Sequence, residues 1–83
     1  MIDNAEILAG LAEILKEVTA GAAREVTLDK SFIDDFDIDS LAMVEFAVLI
    51  EERLGVKVPD EELPNLKTVG DAVNYVSANS RQW

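Results

Sequence analysis

Apolar side chains recur at helical spacing in three stretches of this 83-residue chain, separated by polar and turn-forming residues. In the first, Ile7, Leu8, Leu11, Ile14, Leu15 and Val18 line one side while Glu13, Lys16 and Glu17 take the other. Asp3 stands where an N-cap is needed and Glu6 follows three residues later, so the spacing predicts a helix from there to about Thr19 to Gly21. The second stretch predicts a helix from Ser40 to about Leu54, with no Gly or Pro until Gly55, which is placed as a C-terminal glycine. It carries two apolar stripes where a surface helix needs one. Phe46, Ala47, Ile50 and Leu54 suit packing against the first helix, whereas Leu41, Val44 and Val48 lie on another face among Glu45, Glu51 and Glu52. A half-apolar, half-acidic face suits docking; the alternative is that these three are also core. In the third stretch, Thr68-Val69-Gly70-Asp71 has capping-box spacing, and Val69, Ala72, Val73 and Val76 follow on one face, with fraying expected near Asn79.

Between the first two helices, Gly21 to Asp39 keeps no helical period. A connection that long in a small domain needs anchors or a function. Val26, Leu28, Phe32, Phe36 and Ile38 are the candidate anchors, and Ser31-Phe32-Ile33-Asp34 has the spacing of one capped turn. Past Gly55, Val56, Val58 and Leu63 anchor an acidic turn, Pro59-Asp60-Glu61-Glu62, long enough for one short helix before Pro64 breaks the chain. The pattern predicts an all-α fold: a small four-helix bundle of three main helices and one short one, with the long loop between helices 1 and 2. Residues 1–83 are expected to form one domain, with the last few frayed.

Composition sharpens this picture. Apolar residues make up 49% of the chain but aromatics only 6%, so the interior is expected to be aliphatic. The net charge is −10, and ten acids against two bases, Arg53 and Lys57, fall between Asp34 and Glu62. Such a field repels nucleic acid and anionic membranes and favours basic protein partners. Neither Cys nor His occurs, which removes disulfides, thiolate nucleophiles, the usual zinc sites and the commonest general base. No leader or membrane-spanning pattern is present, so a cytoplasmic monomer is expected.

The densest acidity, Asp34-Asp35-Phe36-Asp37-Ile38-Asp39, runs straight into Ser40. Asp35, Asp37 and Asp39 match the first ligand positions of an EF-hand loop, but Ser40 stands where Gly is needed and Phe46 where a bidentate Glu is needed. No specific metal site follows, although loose divalent-ion binding is compatible with the cluster. Ser40 has no His to activate it and is ringed by carboxylates that disfavour an alkoxide, so the chain is not expected to be an enzyme. If Asp39 is the N-cap, Ser40 is the first helical residue with its hydroxyl spare, ready to be modified by another protein. If Ser40 is itself the cap, its hydroxyl is occupied.

At Asp39-Ser40-Leu41, and more specifically over Asp34 to Glu45, the sequence resembles the acyl carrier proteins of actinobacterial fatty-acid synthases, including those of mycolic-acid elongation. Gly55-Val56-Lys57-Val58-Pro59-Asp60-Glu61 and Thr68 to Val76 resemble the family's later segments. The resemblance implies an acyl-carrier fold with 4'-phosphopantetheine attached to Ser40 by a phosphopantetheinyl transferase (holo-carrier synthase) that uses coenzyme A. It implies that Asp39, Leu41, Val44, Glu45, Val48, Glu51 and Glu52 meet basic patches on partner enzymes. Those partners would be a malonyl transferase, ketosynthases, a ketoreductase, a dehydratase and an enoyl reductase, between which acyl groups travel as thioesters. The chain departs from many carriers at Phe36 or Asp37, where Gly is frequent, and at Ala42, where an acid is. It stops at Trp83, without the long C-terminal extension of some mycolic-acid carriers, which points away from that branch. Absence of Gly-Gly before the serine points away from peptidyl carriers. A discrete polyketide-synthase carrier is the alternative within the family. An acidic ion-responsive adaptor without a prosthetic group is the alternative outside it, separated by whether Ser40 can be modified.

Overall fold

The computed structural model describes residues 3–23 and 25–79. Helix α1 runs Asn4–Val18, α2 runs Ser40–Leu54, a short 3₁₀ helix occupies Asp60–Asn65, and α3 runs Val69–Asn79. Among the described residues there is no strand, and Ser31 and Thr68 form an isolated bridge. The expected all-α, four-helix order is the observed one. The fraying expected of the last few residues falls on 80–83, outside the described residues.

Each long helix starts on a side-chain cap. The Asp3 carboxylate accepts from the Glu6 N–H at 2.9 Å and the Asp39 carboxylate from the Ala42 N–H at 2.8 Å. At α3 the cap is reciprocal: the Asp71 N–H donates to the Thr68 hydroxyl at 3.2 Å and the Thr68 N–H to the Asp71 carboxylate at 3.1 Å. Each cap contributes about 1 kcal/mol by satisfying N–H groups that the helix cannot. Helix α1 ends where the Thr19 hydroxyl donates to the Leu15 carbonyl, after which Ala20 and Gly21 turn through positive φ. Helix α2 ends on Gly55 at φ 71°, as its glycine predicts.

The core gathers Ile7, Leu11, Ile14 and Leu15 of α1, Phe46 and Ile50 of α2, and Val69, Val73 and Val76 of α3. It is aliphatic except at its centre, where Phe32 and Phe46 meet at 5.1 Å between ring centroids, tilted by 56°. Outside the core, Arg53 of α2 pairs with Glu17 of α1. Burial of Tyr75, then the negative Glu62 and Glu61, raise the pKa of its hydroxyl, which donates to the Lys57 carbonyl at 3.2 Å.

Four of the five expected loop anchors pack inward. Phe32 and Ile38 are buried, and Val26 and Phe36 are partly buried against the core. Leu28 is the exception, because its side chain is 51% exposed. Its carbonyl holds the loop instead, accepting from the Gly70 N–H at 2.9 Å while the Lys30 carbonyl accepts from the Val69 N–H at 2.9 Å. Two N–H groups at the start of α3 are thereby satisfied by the loop's backbone. Pro64 corrects another expectation: it lies inside the short helix and does not end it. A 3₁₀ turn of six residues needs few N–H donors, and the Glu62 and Leu66 N–H groups still bond to the Pro59 and Leu63 carbonyls.

Two substitutions separate backbone strain from packing. Ala20 sits at φ 55°, so Ala20→Gly is expected to stabilise by about 0.5–1 kcal/mol and raise the thermal midpoint by a few degrees. A Cβ on Gly70 would stand 3.0 Å from the hydrogen-bonded Leu28 carbonyl oxygen. Gly70→Ala is therefore expected to lower the midpoint, overpacking outweighing the gain of about 1 kcal/mol in helix propensity. Circular-dichroism melts of both variants check these signs.

Candidate functional site

The site forms where the long loop becomes α2. Ile38 and Met43 are buried on either side of the junction, so the segment between them is held against the core and Asp39, Ser40 and Leu41 are left facing outward. Asp39 has extended backbone angles, φ −87° and ψ 179°, and provides the cap. Ser40 is the first helical residue, exposed, and among the described residues nothing hydrogen-bonds its hydroxyl. Of the two arrangements open to the sequence, the structure thus adopts the one with the serine spare.

Upstream, a tight turn shapes the approach. The Asp34 N–H donates to the Ser31 hydroxyl at 3.1 Å, and the Ser31 N–H donates to the Asp35 carboxylate at 2.6 Å. Burying Phe32 within this turn sends the next residue outward, leaving Ile33 66% exposed. Asp37 then takes φ 55°, a left-handed conformation that Asp tolerates better than most residues and Gly tolerates best.

Leu41, Val44 and Val48 are 77%, 41% and 48% exposed, so the second stripe of α2 is not core. Glu45, Glu51 and Glu52 are exposed beside it. The residues singled out in the sequence therefore share one solvent-facing side of α2, with Asp39 and Ser40 at its head. Two clefts flank that head, and both are lined by Asp39 and Val44. One, of about 290 Å³, is formed by Ser40 with Ile33, Met43, Asp60, Leu63 and Pro64. The other, of about 380 Å³, is formed by Leu41, Ala42 and Glu45. Ile33, Met43 and the Leu63–Pro64 wall were not predicted as site residues. For Ile33 a signal existed: an apolar residue directly after a buried one in a tight turn points to water.

The acids do separable things. Asp35 and Asp39 accept backbone N–H groups, and among the described residues no group of acids is arranged to hold a metal ion. Arg53, one of only two bases in the acidic stretch, is drawn to Glu17, whose hydrogen bond raises the arginine's pKa and whose own pKa falls in return. Its charge is turned toward α1, so the face around Glu45 keeps its negative field. Among the described residues no helix is long and apolar enough to cross a membrane.

The family profile described as phosphopantetheine attachment site matches residues 7–76. The acyl carrier protein of Renibacterium salmoninarum is 59% identical over 78 residues, which cover 94% of this chain and 96% of that protein. The meromycolate extension acyl carrier protein of Mycolicibacterium aurum is 62% identical over 71 residues, 86% of this chain and 73% of that protein. Among solved structures, the acyl carrier protein of Enterococcus faecalis superposes with a TM-score of 0.72 at 29% identity, covering 95% of this chain and 100% of that one.

The cap at the head of α2 can be tested without reference to any partner. Asp39→Ala is expected to lower stability by about 1 kcal/mol, while Asp39→Asn keeps most of it, because an amide oxygen still accepts from Ala42. Urea denaturation of the two variants reads the difference, and identical midpoints would show that the cap does not hold the junction.

Proposed function

The chain belongs to the acyl carrier proteins, the phosphopantetheine attachment-site family, and from that premise we propose that Ser40 is its attachment residue and the outer side of α2 its partner face. The observation that carries this is the spare hydroxyl of Ser40. Because Asp39 holds the cap, Ser40 can be esterified without releasing the helix start. A side chain that both capped and carried would lose one role on gaining the other.

Members of this family are non-catalytic carriers of 4'-phosphopantetheine, and the residues here fit that group. The Ser40 hydroxyl is exposed and opens onto a cleft walled by Ile33, Leu63 and Pro64. The N–H groups of Ser40 and Leu41 lie in the first turn of a fifteen-residue helix, the end that favours an attached phosphodiester. In the attachment, Ser40 Oγ attacks the phosphorus of coenzyme A that bears pantetheine. The Oγ–P bond forms, the P–O bond to adenosine 3',5'-bisphosphate breaks, and the hydroxyl proton leaves to a base on the transferase or to water. Once attached, the group supplies a thiol that holds acyl chains as thioesters. The chain's own residues then do the presenting. Leu41, Val44 and Val48 offer apolar contact, and Asp39, Glu45, Glu51 and Glu52 steer basic enzyme surfaces toward it. The resemblance of Asp34 to Glu45 to the carriers of actinobacterial fatty-acid synthases supports fatty-acid synthesis as the setting, with malonyl transferase, ketosynthase, ketoreductase, dehydratase and enoyl reductase as successive partners.

Attachment is tested by intact mass after incubation with coenzyme A and a broad-specificity phosphopantetheinyl transferase. One phosphopantetheine is expected on the wild type and none on Ser40→Ala; addition to both would move the site elsewhere. Docking by charge is tested by reversing Glu45 and Glu52 to Lys. Association with carrier-dependent enzymes is expected to slow by roughly tenfold or more, and the wild-type rate to fall with added salt. Rates indifferent to both would contradict the steering role.

A further inference from the structure

The apolar surface around Ser40 does not end with α2. Ile33, on the turn of the long loop, is two-thirds exposed and shares with Ser40 the cleft closed by Leu63 and Pro64. Leu41, exposed more still, stands over the second cleft, so that Asp39 and Val44 form a ridge with an apolar side chain on either flank. Acids border both clefts: Asp60 lines the one that holds Ile33, Glu45 the one that holds Leu41, and Asp39 lines both. An apolar centre inside a charged rim is the arrangement of a protein-binding patch.

We propose that Ile33 belongs to the seat of the phosphopantetheinyl transferase, which grips Ser40 from both flanks, through Ile33 on the loop and Leu41 on α2. This rests on Ser40 being the attachment residue. The transferase is the partner singled out because its chemistry happens at Oγ itself. It must bring the pyrophosphate of coenzyme A to bonding distance of a hydroxyl on a short side chain, so its surface has to cover the ring of residues about Ser40. An enzyme that acts on the thiol meets it at the far end of a long, flexible arm and can leave Ile33 uncovered. The acidic rim on both flanks fits a basic transferase surface around an apolar centre. Leu28 is the built-in control, because it is a comparably exposed apolar side chain of the same loop that lines neither cleft.

The experiment compares apo wild type, Ile33→Ser, Ile33→Thr and Leu28→Ser. Phosphopantetheine addition is followed by intact mass at varied carrier concentration, and binding to the transferase without coenzyme A is followed by calorimetry. Ile33→Ser is expected to raise KM roughly five- to tenfold with kcat little changed, and to weaken binding by a similar factor. Ile33→Thr, which keeps the branched shape and guards against misfolding, should fall between, and Leu28→Ser should match the wild type. With holo forms prepared at excess transferase, KM for a ketosynthase should change less than KM for the transferase. The proposal is overturned if Ile33→Ser leaves both KM and binding unchanged, if it alters kcat alone, or if Leu28→Ser has the same effect. A wild type that never gains mass would instead overturn Ser40 as the attachment residue.

Discussion

Phe32 is the point at which the loop, α2 and α3 are joined, and the placement of the serine depends on it. Its ring is buried against Phe46 of α2. Its N–H donates to the Lys67 carbonyl, just ahead of α3, at 3.1 Å, and its carbonyl accepts from the Ile38 N–H at 3.0 Å. One residue thus ties a nineteen-residue connection, Gly21 to Asp39, to two helices and closes the turn that delivers the chain to Asp39. Without it the loop would keep Ile38 and Ala23 as its buried contacts, the partly buried Val26 and Phe36, and the backbone bonds of Leu28 and Lys30 to α3, with nothing to hold its middle against α2. Truncating such a side chain costs about 3–5 kcal/mol in a typical core, a large share of the stability of a domain this small.

The acid cluster ahead of the serine would be a liability in a loop with no other role, since like charges repel. Here two of its members are also structural: Asp35 closes the Ser31 turn and Asp39 caps α2. Each trades repulsion for a charge-assisted bond to a backbone N–H. The same carboxylates keep the surroundings of Ser40 negative, the field that the proposed docking of basic partner surfaces calls for. On that proposal the same side chains serve stability and recognition, which makes the loop hard to alter one residue at a time.

Much of this was legible from residues alone. Helix limits followed from local chemistry: Asp3 and Thr68 as caps, Gly55 as a stop, and apolar spacing between them, whereas the cap of α2 stayed open between Asp39 and Ser40 until the structure gave it to Asp39. The exposed stripe of Leu41, Val44 and Val48 was visible because α2 has more apolar faces than one core can cover. What escaped was non-local or carried by backbone. Nothing in the identity of Leu28 says that its carbonyl, and not its side chain, would hold the loop to Gly70. Pro64 reads as a breaker by the rule for α-helices, whereas the 3₁₀ turn accommodates it. The cleft beside Ser40 was missed because Ile33, Met43 and Pro64 come from three separate segments that only the fold brings together.

The carbonyls of Leu28 and Lys30 that receive the first N–H groups of α3 have a consequence for the order of events during synthesis. The segment ahead of the serine is completed by residues that leave the ribosome long after the serine does. Until Thr68 to Gly70 have emerged, the loop lacks its partners and α3 lacks two of its own, so neither can be finished first. The carrier therefore matures as a unit, and a nascent chain truncated before α3 would offer its serine on a loop held by α2 but without its ties to α3.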